Sequence, residues 1–375
     1  MIDTAHHGVI EPFTISVAEA VLEDLRVRLA RTRYADQLPD SGWDHGVPTD
    51  YLRDLVSTWQ HSYDWRVAEA ALNSLPQFVT TIDGQRVHFV HVRSNAAGAR
   101  AVLLTHGWPG SIVEFLAVIE LLRADFHLVV PSLPGYGFSG PTTERGWDVA
   151  RIARAFTVLM ARLGYSEYIA QGGDWGAQVS SRLAVDDPRC VALHLNMPIA
   201  FAPREPVELD ADDEADLAAM QAFQRDEAAY SLQQGTRPLT LGAALADSPA
   251  GMLAWIVEKF RAWSDCDGDP ERVFTREQLL TNATIYWVTE TITSSMRLYY
   301  ETRAAGYGRE ARSRVEVPTG VGRYPKEVLR APRAWVEQRY HVTRWIEHPC
   351  GGHFAAMEQP ERFAADLREF VDSLG

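Results

Sequence analysis

From residue 79 onward the apolar positions fall into two alternating patterns. Short runs of three to seven mostly apolar residues are separated by longer stretches in which apolar residues recur at helical spacing. The first run, 79–82, meets its partner, 86–92, across Asp83-Gly84, which predicts a β-hairpin. The runs at 101–105, 126–130, 168–170 and 191–195 predict buried strands, and 112–122, 149–163 and 177–185 predict helices. Strict alternation of this kind predicts a parallel sheet covered by helices on both faces.

The flanks read differently. Residues 1–79 read as helical: Ser16-x-x-Glu19 has the form of a capping box, followed by Val21, Leu22, Leu25 and Leu29 at helical spacing, with further helices starting near Thr49 and Trp65. After Pro198 the alternation stops, and 201–311 is mostly helical. Its acidic opening, 208–216, reads as a solvated helix start. In this block a helix over 214–234 puts Tyr230 on the face of Phe223. A helix over 284–303 puts Tyr299 on the face of Val288, Ile292 and Met296. The sheet pattern resumes at 315–318 and 343–346, and an amphipathic helix closes the chain at 360–374. The expected organisation is a helical segment 1–79 packed on the core, an α/β core of 80–200 and 312–375, and a helical lid of 201–311. The lid lies where α/β sites open, at the carboxyl ends of the strands.

Composition narrows the function classes. The 375 residues are 46% apolar and 23% charged, with a formal net charge of −14, which disfavours nucleic acid and anionic membrane as partners. Three widely spaced cysteines, Cys190, Cys266 and Cys350, form no disulfide framework and no zinc pattern, and the first residues lack a signal peptide. No apolar run reaches the ~18 residues that span a bilayer. A cytoplasmic protein without a membrane anchor is expected. Asp265-Cys266-Asp267-Gly268-Asp269 fails as a calcium loop, with Gly misplaced and Arg at 276. No Gly-x-Gly-x-x-Gly follows a strand, so neither metal nor dinucleotide cofactor is called for.

The chemistry centres on Gln171-Gly172-Gly173-Asp174-Trp175-Gly176, between a predicted strand and a predicted helix. A Gly-x-Ser-x-Gly turn there exposes a serine nucleophile and needs small flanking residues. Asp174 stands in the serine position. An Asp before a helix often just caps it, but a cap alone does not need Gly172, Gly173 and Gly176 around it. A carboxylate at such an elbow attacks a saturated carbon and becomes an ester that water must cleave. His353, in Cys350-Gly351-Gly352-His353-Phe354, takes the last slot of the order nucleophile, acid, histidine. His6, His7, His45, His61, His88 and His91 lack its glycine setting. The loop His106-Gly107-Trp108-Pro109-Gly110-Ser111 follows the 101–105 strand. The N–H groups of Trp108 and Trp175 are candidate oxyanion donors, with His106 supporting the loop. For the acid, Glu327 lies in a loop past the re-entering strand, with Glu337, Glu347 and Glu358 as competitors. Tyr230 and Tyr299 taken singly read as packing aromatics.

Four motifs carry a resemblance: His-Gly-Trp-Pro-Gly-Ser at 106–111, Gly-Gly-Asp-Trp-Gly at 172–176, Ser-Met-Arg-Leu-Tyr at 295–299 and Gly-Gly-His-Phe-Ala-Ala at 351–356. From about residue 10 to its end the chain resembles the microsomal-type epoxide hydrolases, including the insect juvenile hormone group, in a soluble, bacterial-type form. The resemblance implies an α/β-hydrolase fold wrapped by its N-terminal helices. It also implies Asp174 as nucleophile, His353 as base, Glu327 as orienting acid, and Tyr230 with Tyr299 as donors to the epoxide oxygen. The partners are then a small apolar epoxide and water, with no cofactor; oligomeric state stays open. Two alternatives share the motifs. A haloalkane dehalogenase would use the same triad with indole donors for halide, and a silent ligand-binding relative would keep the pocket without turnover.

Overall fold

The computed structural model describes residues 8–306 and 313–375. His6, His7 and the expected lid boundary at 311–312 lie outside the described residues. The chain builds one nine-stranded sheet in the order β1-β2-β3-β5-β4-β6-β7-β8-β9. β2 (Gln77–Ile82) and β3 (Gln85–Val92) form the expected hairpin, with Asp83 and Gly84 both at positive φ, 51° and 73°, as a two-residue primed turn requires. β3 joins β5 (His127–Pro131) antiparallel. β5, β4 (Ala101–Thr105), β6 (Tyr168–Gly172), β7 (Cys190–Leu195), β8 (Val315–Arg323) and β9 (Tyr340–Glu347) run parallel. All five residues of β4 and of β6 are buried, as central strands covered on both faces should be.

Helices α4 (Leu116–Leu122) and α15 (Pro360–Asp372) pack together, as do α5 (Val149–Arg162) and α6 (Asp174–Asp186). From β4 the chain goes outward to β5 on one side and returns as β6 on the other. The carboxyl ends of β4 and β6 therefore diverge around a crevice, where ligands of open α/β sheets bind.

The N-terminal segment holds α1 (Glu19–Ala30), α2 (Thr49–His61) and α3 (Trp65–Asn73), but also a strand, β1 (Glu11–Phe13), on the edge of β2. The capping box does not form. The amides of Ile15 and Val17 bond to Asn73 (2.8 Å) and Glu69 (2.7 Å), which holds this stretch extended and delays the helix to Glu19. Glu19 pairs with Arg26 and Arg66 instead. α1 and α2 lean on α10 (Pro249–Trp263), and α3 leans on α11 (Arg276–Val288). The Trp59 indole donates to Thr284 (2.9 Å), and Asp54 pairs with Arg276 (2.7 Å). The segment thus braces the helical block as well as the sheet.

That block comprises α7 (Ala211–Asp226), α8 (Ala229–Thr236), α9 (Pro238–Leu245), α10, α11 and α12 (Ile292–Ala304). Both long helices expected here are broken. The chain turns between α7 and α8, burying Ala228 and Tyr230 together. It turns again between α11 and α12, where Glu290 takes a φ of +56° and the Thr291 hydroxyl accepts from Gly137 N–H. Val288 therefore belongs to a different helix from Tyr299. The acidic opening is only partly solvated: Asp213 and Asp216 are buried, and Asp216 pairs with Arg323 and Arg330 of the core. α9 and α10 together have the length and apolarity of a span but meet at 118°; no single helix among the described residues is long and apolar enough to cross a membrane.

α13 (Arg333–Arg339) precedes β9, and the short α14 (Ala355–Glu358) precedes α15. Asp366 on α15 anchors the sheet's far side. Burial alone would raise its pKa, but hydrogen bonds from His194 (3.1 Å), His348 (3.3 Å) and Arg344 (3.1 Å) hold it far below the usual carboxylate range. Because its folded pKa is depressed, its stabilisation is present above pH ~4 and is lost as pH falls. Asp366→Asn should cost about 3 kcal/mol near neutrality, since it strips a buried cluster of its anion. Urea unfolding of wild type and variant from neutral pH to pH ~3 should show the gap narrowing on acidification.

Candidate active site

Asp174 opens α6 directly after β6, with Gly173 extended before it and its own φ at +48°. A non-glycine residue in the left-handed region marks stored backbone strain, here aimed at exposing one carboxylate. The tight packing has a visible cause. A Cβ on Gly176 would fall 1.9 Å from the Thr105 carbonyl oxygen, and one on Gly107 would fall 2.2 Å from Asp174 Oδ1. Larger residues at either position would push the elbow off β4.

The Trp108 N–H donates to Asp174 Oδ1 at 2.8 Å, and the Trp175 N–H bonds the same carboxylate. The two amides singled out in the sequence thus converge on Asp174. Their loop is fixed from α11: Asn282 donates to the Pro109 carbonyl (2.8 Å) and Tyr286 to the Gly110 carbonyl (2.7 Å). His106 is a buried support. Its Nδ1 lies 2.9 Å from the Gly107 carbonyl and its Nε2 accepts from Leu133 N–H, while burial lowers its pKa to about 4 and keeps it neutral.

His353 sits between two carboxylates, with Nδ1 2.8 Å from Glu327 Oε1 and Nε2 3.6 Å from Asp174 Oδ2. Its backbone N–H donates to the Trp263 carbonyl, and the Trp263 ring stands edge-on to the imidazole at 4.9 Å. Burial would lower its pKa, but the charge and hydrogen bond of Glu327, helped by Asp174, raise it to about 9. Burial likewise raises the Asp174 carboxyl, against the pull of His353 and the two amides. The competing acids lie elsewhere. Glu337 pairs with Arg333, Glu347 with Arg323, and Glu358 accepts from the N–H groups of Asp265 and Phe354, bracing the histidine loop.

Tyr230 on α8 and Tyr299 on α12 face each other at 5.9 Å between ring centroids, across Trp108, which stacks on Tyr230 at 5.3 Å. Both line a pocket of about 250 Å³ together with Asp174, Trp175, Met197, Phe223 and Leu329. The buried Tyr299 hydroxyl makes no hydrogen bond of good geometry, although the Trp175 indole lies close enough to influence it. Tyr300, the neighbouring phenol, is exposed.

One residue at the centre escapes the motif reading. Glu114 lines a second, much smaller cavity with Asp174 and His353. The signal was a single carboxylate inside the otherwise apolar run Ile112-Val113-Glu114-Phe115-Leu116. No group of three or more His, Cys, Asp or Glu among the described residues could hold a metal ion.

Comparison with known proteins agrees over nearly the whole chain. Residues 10–115 match the epoxide hydrolase N-terminus family model, and 100–240 match the alpha/beta hydrolase fold. Epoxide hydrolase 1 of Sus scrofa is 36% identical, over 97% of this chain and 89% of its own. Among solved structures, the epoxide hydrolase of Aspergillus niger aligns with a TM-score of 0.89 at 36% identity, covering 98% of this chain and 97% of that one. The juvenile hormone epoxide hydrolase of the silkworm Bombyx mori aligns with a TM-score of 0.91 at 32% identity, covering 98% and 95%.

Proposed function

The chain belongs to the epoxide hydrolase family, and from that premise we propose that it converts an apolar epoxide to a vicinal diol through an ester on Asp174. One observation carries the reading: a carboxylate with one side toward two phenols and the other toward a histidine–glutamate pair. The block between β7 and β8 acts as the lid that supplies the phenols. Tyr230 and Tyr299 donate to the epoxide oxygen, where negative charge grows as the ring opens, so they act mainly on the transition state. Asp174 attacks a ring carbon, the C–O bond breaks, and the alkoxide takes a proton through the phenols. Alkylation removes the Asp174 charge that helped hold the proton on His353, so the imidazole gives that proton up to solvent, which balances the one the alkoxide took. Neutral His353, oriented by Glu327, then takes a proton from water as the water oxygen bonds to the ester carbon. The amides of Trp108 and Trp175, already bonded to this carboxylate, hold the tetrahedral oxyanion. Collapse expels the diol, and the new carboxyl proton goes to the departing oxygen. Asp174 returns as carboxylate and His353 as imidazolium. The three cysteines are free thiols, which favours a reducing, cytoplasmic setting.

Removing one donor to a developing oxyanion costs on the order of 10²-fold. Tyr299→Phe should therefore slow ester formation by about that factor, and the Tyr230→Phe, Tyr299→Phe double variant by more. Stopped-flow alkylation and diol assays on a panel from styrene oxide to terpenoid and fatty-acid oxides measure this. Unchanged turnover of every epoxide in the double variant would refute the phenol roles.

A second reading has one observation in its favour: the indole N–H groups of Trp108 and Trp175 are buried and make no hydrogen bond of good geometry. Such donors suit halide, so chloroalkanes belong in the same panel. Halide release that survives both Tyr→Phe changes would favour a dehalogenase.

A further inference from the structure

The Asp174 carboxylate has two cavities against it. Asp174 is the one residue, among those described, that lines both. The larger opens toward Tyr230 and Tyr299. The smaller holds about 10 Å³ of room for a water's centre, about what one molecule needs. A cavity of that size fills only if its wall offers polar partners. This wall offers His353, Glu114, Asn196 and Thr105 beside Asp174.

Glu114 stands out among them. It belongs to the short 3-10 turn Ile112–Phe115, and Ile112, Val113 and Phe115 around it are all buried in the core. A carboxyl group among such neighbours costs free energy unless its oxygens find hydrogen-bond partners. It takes a hydrogen bond from the Gly107 N–H, and the charges that act on it are those of His353 and Asp174, not of an arginine or lysine. Room for it is made by a glycine: a Cβ on Gly110 would fall 1.5 Å from Glu114 Oε1.

We propose that Glu114 is a positioning residue for the water that cleaves the Asp174 ester, holding it in the small cavity between His353 Nε2 and the ester carbon. The proposal rests on the ester reading above and adds to it where the water waits and what holds it. One hydrogen bond to Glu114 and one to His353 fix the water's rotation. Its lone pair then faces the Asp174 carbon, its shared proton passes to His353, and the remaining O–H stays on Glu114. Substrate and water reach Asp174 from separate cavities, so the water need not be displaced when the epoxide binds. Burial pushes the Glu114 carboxyl up to about 8, with His353 opposing and Asp174 reinforcing the shift. It is therefore mostly uncharged at neutral pH and sets no second anion beside the attacking carboxylate.

The test separates the two half-reactions in single-turnover experiments. Glu114→Ala should form the ester within about twofold of the wild-type rate but hydrolyse it about 10- to 100-fold more slowly, as for a nucleophile left misplaced with its base intact. With hydrolysis limiting, kcat and KM should fall together and kcat/KM should stay within about twofold, a split that loosened packing would not produce. Glu114→Gln keeps a hydrogen-bonding group of the same size and should recover most of the hydrolysis rate. Gly110→Ala, which pushes the intact carboxyl aside, should reproduce the Glu114→Ala signature. Normal ester hydrolysis in Glu114→Ala, or equal slowing of both steps, would overturn the proposal while leaving the ester reading intact. Absence of any ester, even in His353→Gln, would remove both.

Discussion

Asp174→Ala is expected to form neither diol nor adduct, with turnover reduced on the order of 10⁴-fold or more, as when a covalent catalyst loses its nucleophile. The rest of the site would remain. The Trp108 and Trp175 amides, the phenols and the His353–Glu327 pair are held by other contacts, so substrate should still bind. What disappears is the carboxylate in line with the ring carbon, and a water in its place is a far weaker nucleophile. The same claim has an isotopic form in the wild type. In a single turnover in heavy-oxygen water, the incoming oxygen bonds to the ester carbon and stays on the Asp174 carboxyl. The diol leaves with an oxygen that was already on the protein. Label should therefore appear first in the peptide carrying Asp174, and a labelled diol in the first turnover would mean direct attack by water on the epoxide.

The parts legible in the sequence are those set by local chemistry. Asp83-Gly84 dictates its own turn, because both residues accept positive φ and the flanking runs alternate. The elbow is legible because its glycines answer steric contacts that any other residue would meet: Gly176 with Thr105 of β4, Gly172 with the Gly176 backbone and Gly173 with Asn196. Buried strands such as β4 and β6 announce themselves by uninterrupted apolar runs. The failures come from contacts distant in sequence. Ser16 looks like a helix cap until Asn73 and Glu69 pin its neighbours extended. Residues 214–234 and 284–303 each carry one helical period, yet the chain turns within them to bring Tyr230 and Tyr299 together edge to face. Asp216 reads as solvated until Arg323 and Arg330 arrive from the far end of the chain. Glu327 could be narrowed only to a loop, since Glu358 is nearer to His353 in sequence. The structure puts Glu327 on the imidazole and Glu358 on the backbone beneath it. Helical period fixes which face a side chain takes, not where the helix stops, and lid helices stop where tertiary contacts require.

His353→Gln separates the chemistry from the opposite end. Asp174 and the phenols remain, so the ring should still open and alkylation should proceed within about an order of magnitude of wild type. Loss of the base should slow ester cleavage by about 10²- to 10⁴-fold. Mass spectrometry of the intact protein should then show it heavier by one substrate mass, stable over many wild-type turnovers. A variant that turns over normally with no adduct would exclude His353 as the base. The pH dependence of the wild type provides a second check, with a definite sign. The resting imidazole sits at about 9 because Glu327, helped by Asp174, outweighs its burial. Ester formation neutralises Asp174 and removes one of those charges, so the pKa of His353 in the intermediate must lie below its resting value. Ester cleavage needs the neutral imidazole, so its rate should rise with pH and level off before pH ~9. In the Gln variant that rise should vanish, because no group with the same titration replaces the imidazole beside the ester.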